Sequence, residues 1–99
     1  MTFKIYKNRK TRHPSISIKQ NNPCAWHNMP ITHSRPKHKS SLEISDPHPL
    51  AKPNAKSYVR CYVRKDKKKI KGHPYKEYVL SKESETKIKN YLKSKYKKR

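Results

Sequence analysis

Histidine is the side chain that exchanges protons near neutrality, and two short stretches place it beside groups suited to an anion: Arg12-His13 and Thr32-His33-Ser34. An imidazole can act as general base or acid, a guanidinium can hold an anionic transition state, and a threonine hydroxyl can meet an oxyanion. His13, Arg12, Thr32 and His33 are therefore the candidate catalytic residues. The reaction they suit is attack of an RNA 2′-hydroxyl on its neighbouring phosphate, which needs a base, an acid and a cation. Metal-dependent phosphodiester hydrolysis needs a carboxylate cluster instead, and the 6 Asp and Glu are scattered along the chain. The chain has 1 glycine, so no glycine-rich loop is available to cradle phosphates.

A second constellation suits binding. Between Ser57 and Arg64 the residues alternate, with Val59, Cys61 and Val63 on one side and Tyr58, Arg60, Tyr62 and Arg64 on the other. On a continuous strand the latter four form a ladder on which unpaired bases stack, while arginine also pairs with phosphate. Tyrosine is also common in ordinary strands, and the binding reading gains its weight from the basicity of the whole chain. The run Lys65-Asp66-Lys67-Lys68-Lys69 reads as a basic loop, with Ile70 beginning the return. Lys67, Lys68, Lys69 and Lys71 are expected to contact phosphates there without reading sequence. Cys24-x-x-His27 has the spacing of a zinc half-site, but Cys61, His33, His38 and His48 offer no second pair at short spacing; neither a metal nor a cofactor is expected.

The elements that must carry these residues follow from periodicity. Ser15 to Ile18, Trp26 to Thr32, Leu42 to Ile44 and Ser57 to Arg64 read as strands. Pro30 argues that the second is short or lies at an edge. Residues 34–55 are rich in Pro, His, Ser and Lys and read as a long irregular loop, while residues 1–9 form an N-terminal arm. Ser81 can cap a helix over residues 81–95. Glu83 and Glu85 suit its positive end, and Ile88, Tyr91, Leu92 and Tyr96 form an apolar stripe. The expected fold is one mostly β domain over residues 1–99 with a C-terminal helix.

Lys and Arg number 27 against those 6 acids, a formal net charge of +21 in 99 residues. Such a charge opposes compaction and draws polyanions from a distance. Hydrophobic residues make up 30% of the chain, so the core is small and the domain marginal by itself. The 2 cysteines do not make a disulfide framework and suit a reducing, cytoplasm-like compartment. No apolar run has membrane-spanning length and none resembles a secretory signal, so no membrane partner is expected. Met1 to Arg12 is basic and free of acids but lacks the pattern of an amphipathic presequence. The preference for Lys, Asn and Ile over Arg, Ala and Gly fits an AT-rich genome: a low-GC bacterium, a phage or an organelle.

Several of these stretches, in this order, resemble the MazF/PemK-like endoribonuclease toxins of toxin–antitoxin systems. Arg12-His13-Pro14-Ser15-Ile16-Ser17-Ile18 resembles the family's Arg-Pro strand, and Pro30-Ile31-Thr32-His33-Ser34 resembles its Pro-Ile-Thr-Ser segment. Lys56-Ser57-Tyr58-Val59 is similar to the strand after its variable loop. Tyr78-Val79-Leu80-Ser81-Lys82-Glu83 resembles the Leu-Ser that opens its last helix. The likeness spans roughly residues 10 to 95 and rests on the order and spacing of these pieces together. It implies a small SH3-like β-barrel with a C-terminal α-helix, often a homodimer and held by a protein inhibitor, that cleaves single-stranded RNA without metal. Thr32 carries over directly as a site residue. His13 stands where the family has arginine, and Arg12 lies one residue earlier, which on a strand is a change of face. Either His13 takes the role, or a bulge admits Arg12, or the site is dead. The family's opening strand and glycine-bearing loop are nearly absent, with Thr2 to Tyr6 in their place.

Three functions stay open on the sequence: a toxin-like endoribonuclease, a structural RNA-binding protein of ribosomal or mitoribosomal type, and a phage or mobile-element protein that inhibits a nucleic-acid enzyme. All share a polyanionic partner, with single-stranded RNA favoured. Replacing Lys67, Lys68 and Lys69 with Gln is expected to flatten the salt dependence of RNA binding by about 0.7 in log–log slope per lost phosphate contact. Affinity measured across a salt series checks this, and an unchanged slope would remove the lysine run from the interface.

Overall fold

One strand organises the sheet because it runs out of one partner and takes up another. The computed structural model describes residues 3–19, 22–34, 40–48 and 56–95. Its elements are β1 (Ile5–Lys7), β2 (Pro14–Ile18), β3 (Ala25–Thr32), β4 (Ser41–Ile44), β5 (Ser57–Arg60), β6 (Arg64–Lys67), a 3-10 turn over Lys68–Ile70, and helix α1 (Lys82–Lys95). All pairings are antiparallel. The order is β1-β2-β3-β5-β4, with β6 also on β3. On one side β3 pairs with β2 through Ser15↔Pro30 to Ile18↔His27. On the other its first half, Ala25 to Asn28, pairs with β6 and its end, Ile31 and Thr32, pairs with β5.

Pro30 therefore lies in the most heavily paired strand, not at an edge. It falls in the interval where β6 has ended and β5 has not begun, a place where a missing N–H need break no ladder bond. The same change of partner breaks the expected continuous strand over Ser57 to Arg64. Cys61-Tyr62-Val63 bends between β5 and β6, and the bend is pinned by the Tyr91 hydroxyl donating to the Cys61 carbonyl at 3.1 Å. The expected basic loop is correspondingly a strand followed by a 3-10 turn. Within the N-terminal arm Ile5 to Lys7 form a strand, and within the long irregular stretch Ser41 to Ile44 do. The described ladders leave an open sheet: β1 and β4, its outer strands, do not pair with each other. No helix among the described residues is long and apolar enough to cross a membrane.

The core is a single cluster in which Ile16, Met29, Ile31, Val59 and Ile88 are fully buried, joined by Ile5, Ile44, Tyr78 and Leu80. Burying each large aliphatic side chain is worth about 1.5–3 kcal/mol, which is what opposes the charge repulsion. Ile88 brings α1 onto the sheet, with Tyr91 and Leu92 half-buried beside it; Tyr96, the last position of the stripe, lies outside the described residues. The Ser84 N–H donates to Ser81 Oγ at 3.2 Å, the cap expected from the sequence. Asp46 reinforces it from the far end of β4, accepting from the Ser81 N–H, the Ser81 hydroxyl and the Ser84 hydroxyl.

The outer edge of β1 is covered by the chain after the 3-10 turn. The Lys7 N–H donates to the His73 carbonyl and the Tyr75 N–H to the Ile5 carbonyl, at 2.9 and 2.8 Å. Gly72 makes this crossing possible with φ +84, and a Cβ there would stand 1.8 Å from the Lys7 carbonyl oxygen. Gly72→Ala is expected to cost about 2–3 kcal/mol of stability, from the left-handed backbone and the displaced edge strand together. Urea denaturation checks it; a loss within about 0.5 kcal/mol, as at an ordinary surface site, would contradict this account of the edge.

Candidate active site

At the end of β3 the chain brings together three imidazoles from separate segments. His13 closes the turn before β2, His33 follows β3, and His48 follows β4. His13 and His33 are stacked, with centroids 5.7 Å apart and planes 12° apart. His48 meets both edge-on, each at 5.2 Å between centroids. The anchor is the Ile31 carbonyl, which lies 3.3 Å from His13 Nδ1 and 3.0 Å from His48 Nε2. A carbonyl only accepts, so this network assigns protons to His13 Nδ1 and His48 Nε2. The neutral His13 ring then carries its lone pair on Nε2, the form a general base requires.

The three rings differ in exposure, and so in role. His48 is buried, His13 half-buried and His33 exposed. Burial pushes the His48 pKa below the usual 6.5, partly offset by its hydrogen bond to Ile31 and assisted by repulsion from His13 and His33. His48 is thus the neutral, positioning member. Behind it Tyr78 sits 6.5 Å away between ring centroids and donates to Ser57 Oγ at 2.9 Å, while the Ser57 hydroxyl donates to the Asp46 carbonyl. Burial raises the Tyr78 phenol to about 12, so it stays a proton donor to Ser57. The capped start of α1 is in this way tied by hydrogen bonds to Tyr78, whose ring flanks His48.

Of the four residues expected at the site, His13 and His33 are in contact. Thr32 adjoins them on β3, opposite Tyr58, and its hydroxyl donates to the Ser34 carbonyl at 3.0 Å. Arg12 does not join. It holds a left-handed backbone at φ 67 in the turn Asn8–His13, and it lines a different hollow with Arg9 and His73. The turn is shaped by Asn8, whose Oδ1 accepts from the Lys10 and Thr11 N–H groups. His48 was not among the residues singled out for catalysis; its one sequence signal is a setting between Pro47 and Pro49, which stiffens the loop without naming a task.

The tyrosine–arginine ladder is divided by the bend. Tyr58 and Arg60 belong to β5, and the Arg60 guanidinium lies over the Tyr62 ring at 5.2 Å. Arg64 is across the bend on β6, its Nε bonded to Asp66 at 2.8 Å. Asn28, fully buried, donates to Asp66 Oδ2 and to the Arg64 carbonyl, so Arg64 is held in a structural network. Lys67, Lys68 and Lys69 are exposed, whereas Lys71 lies over the Tyr6 ring at 4.4 Å. Cys24 is exposed in the turn before β3 and His27 lies within the strand; no metal-holding group of three or more His, Cys, Asp or Glu occurs among the described residues.

The chain matches no known family model, and no curated protein or solved structure matches it.

Because the His48 pKa is lower folded than unfolded, the unfolded chain takes up that proton first as pH falls. Its contribution is complete above 6.5 and is lost on acidification through the lower folded value. Thermal unfolding followed from neutrality to about pH 5 should therefore show a smaller acid loss of stability for His48→Gln than for the native chain. Equal losses would contradict the burial of this ring.

Proposed function

We propose that the protein binds single-stranded RNA and cleaves it without metal, in the manner of the toxin-like endoribonucleases its sequence resembles. The observation that carries this reading is the stacked His13–His33 pair at the end of β3, with His13 Nε2 unprotonated in its neutral form. In the reaction His13 Nε2 takes the proton of the 2′-hydroxyl as that oxygen attacks the adjacent phosphorus. The P–O5′ bond breaks, and protonated His33 delivers a proton to the departing 5′-oxygen. The products are a 2′,3′-cyclic phosphate and a free 5′-hydroxyl. His48 holds the first ring in place through the shared Ile31 carbonyl.

Four of the six acids have other work, which supports a mechanism carried by imidazoles. Glu43 pairs with Lys56, Asp66 with Arg64, Asp46 caps α1, and Glu85 accepts from the Phe3 N–H. The bent sheet, in which β3 serves two partners, supports reading the fold as an open relative of the SH3-like barrel. A homodimer and a protein inhibitor belong to the same proposal. A cytoplasmic or organelle-matrix setting suits it as well.

One observation favours a second reading, binding without cleavage as in a structural ribonucleoprotein component. Arg12 lines another hollow and the Thr32 hydroxyl is engaged by Ser34, so neither of these two expected groups is committed to the pair. The two readings separate in one assay: single-stranded RNA incubated with the protein in EDTA. Cleavage is expected to yield cyclic-phosphate ends, to rise and fall with pH, and to drop by about 10²-fold or more in His13→Ala and His33→Ala. Intact RNA, held in a salt-sensitive complex by native and variant proteins alike, would replace cleavage by the binding role.

A further inference from the structure

At the opposite end of β3 lies a cavity of about 660 Å³ that the histidine cluster does not use. Its walls come from β1, the start of β3, the 3-10 turn and α1, and its apolar surface includes Phe3, Tyr6 and Leu92, each half-buried. Lys4, Lys68 and Lys71 stand among the residues around it, and no Asp or Glu lines it. Two acids in neighbouring positions are occupied, Glu85 by the Phe3 N–H and Asp66 by Arg64 and Asn28. Trp26 closes the inner wall at 2% exposure, with the Tyr6 ring set against it at 6.1 Å and 74°. Lys71 is held over Tyr6 at 4.4 Å, so a cation is already positioned at the aromatic surface.

We infer that this cavity is a nucleotide subsite, taking one unpaired base of an RNA strand against Tyr6 and Phe3 with its phosphate on Lys71 and Lys68. The inference rests on the RNA reading above and extends it to a second place on the molecule. The volume falls in the range of small-molecule sites, about 300–1,000 Å³. An aromatic surface beside cations with no carboxylate in the wall matches a planar base joined to an anion. An acidic peptide would use the lysines and leave the ring surface unused, so a nucleotide is the better fit. The distance along β3 adds to this: Ala25 to Thr32 is 8 residues of strand, about 23 Å at roughly 3.3 Å per residue. A strand lodged in the cavity would hence be gripped several nucleotides away from the bond at the histidines.

The chain has 1 tryptophan, and it forms this wall, so its fluorescence reports the cavity directly. The Trp26 Nε1–H is buried without an acceptor among the described residues, which makes the ring responsive to a polar atom brought against it. The probe is adenosine 5′-monophosphate at low salt, with inorganic phosphate and a short polyglutamate in parallel. Saturable quenching by the nucleotide is expected, weakened roughly tenfold by Tyr6→Leu and several-fold by Lys71→Gln, an exchange on the cavity rim. Equal responses to phosphate and the nucleotide would overturn the base-binding part, and a stronger response to polyglutamate would overturn the whole in favour of a protein partner. No response to the nucleotide in the folded native chain would also overturn it. The His13→Ala protein should bind the nucleotide normally. Absence of RNA cleavage by the native chain with quenching intact would strike the catalytic reading alone, and cleavage without quenching would strike this subsite alone.

Discussion

The Ile31 carbonyl is a single acceptor on which two otherwise independent parts of the chain depend. It stands where β3 has already exchanged β6 for β5, so its surroundings are set by the long-range pairings of the sheet. His13 arrives from the hairpin between β1 and β2, His48 from beyond β4, and both donate to this one oxygen. The residue itself is fully buried in the core. Two imidazoles are consequently fixed to the strand with the most partners in the sheet, although the segments that carry them are turns. A site built in this manner is positioned by strand register, since a shift of one residue in β3 would turn the carbonyl away and dissolve the cluster.

Around that anchor the polar groups form a continuous support. Asp46 caps α1, the Asp46 carbonyl accepts from Ser57, Ser57 accepts from Tyr78, and Tyr78 flanks His48. The helix is thus not merely packed on the sheet through Ile88. Its first turn shares hydrogen bonds with the same loop that supplies the buried imidazole. In a chain of net charge +21 with a small core, directional bonds of this kind choose one arrangement among the compact ones that apolar burial alone would allow.

Much of this was legible in the sequence, and the errors share a cause. The alternation at Ser15 to Ile18, the capping serine at position 81 and the apolar stripe through Ile88 are local signals, and each corresponds to an observed element. Pro30 departs from its local reading because its tolerance depends on which neighbour is present on one side of β3. The unbroken strand over Ser57 to Arg64 was misread because alternation continues across a bend; Cys61 to Val63 carry no proline or glycine to mark it. The loop assigned to Lys65 to Lys69 was overridden by pairing with Ala25 to Asn28, a tertiary contact that no local pattern of lysines reveals. At the candidate site the residue types near His13 and Thr32 were readable. The side of the turn that Arg12 takes and the arrival of His48 were not, since both follow from loop geometry.

The crossing over β1 ties the beginning of the described chain to its last third. Tyr75 and His73 complete the edge of β1, and the Phe3 N–H is held by Glu85 from α1 across 82 positions of sequence. Contacts of such high sequence separation form late and together. During vectorial synthesis, the early strands therefore wait for their covering segment until His73 to Glu85 have left the ribosomal tunnel. Until then the edge of β1 lacks its covering segment and the Phe3 N–H lacks its carboxylate acceptor. Completion of this edge is in this sense coupled to the emergence of the segment after Gly72.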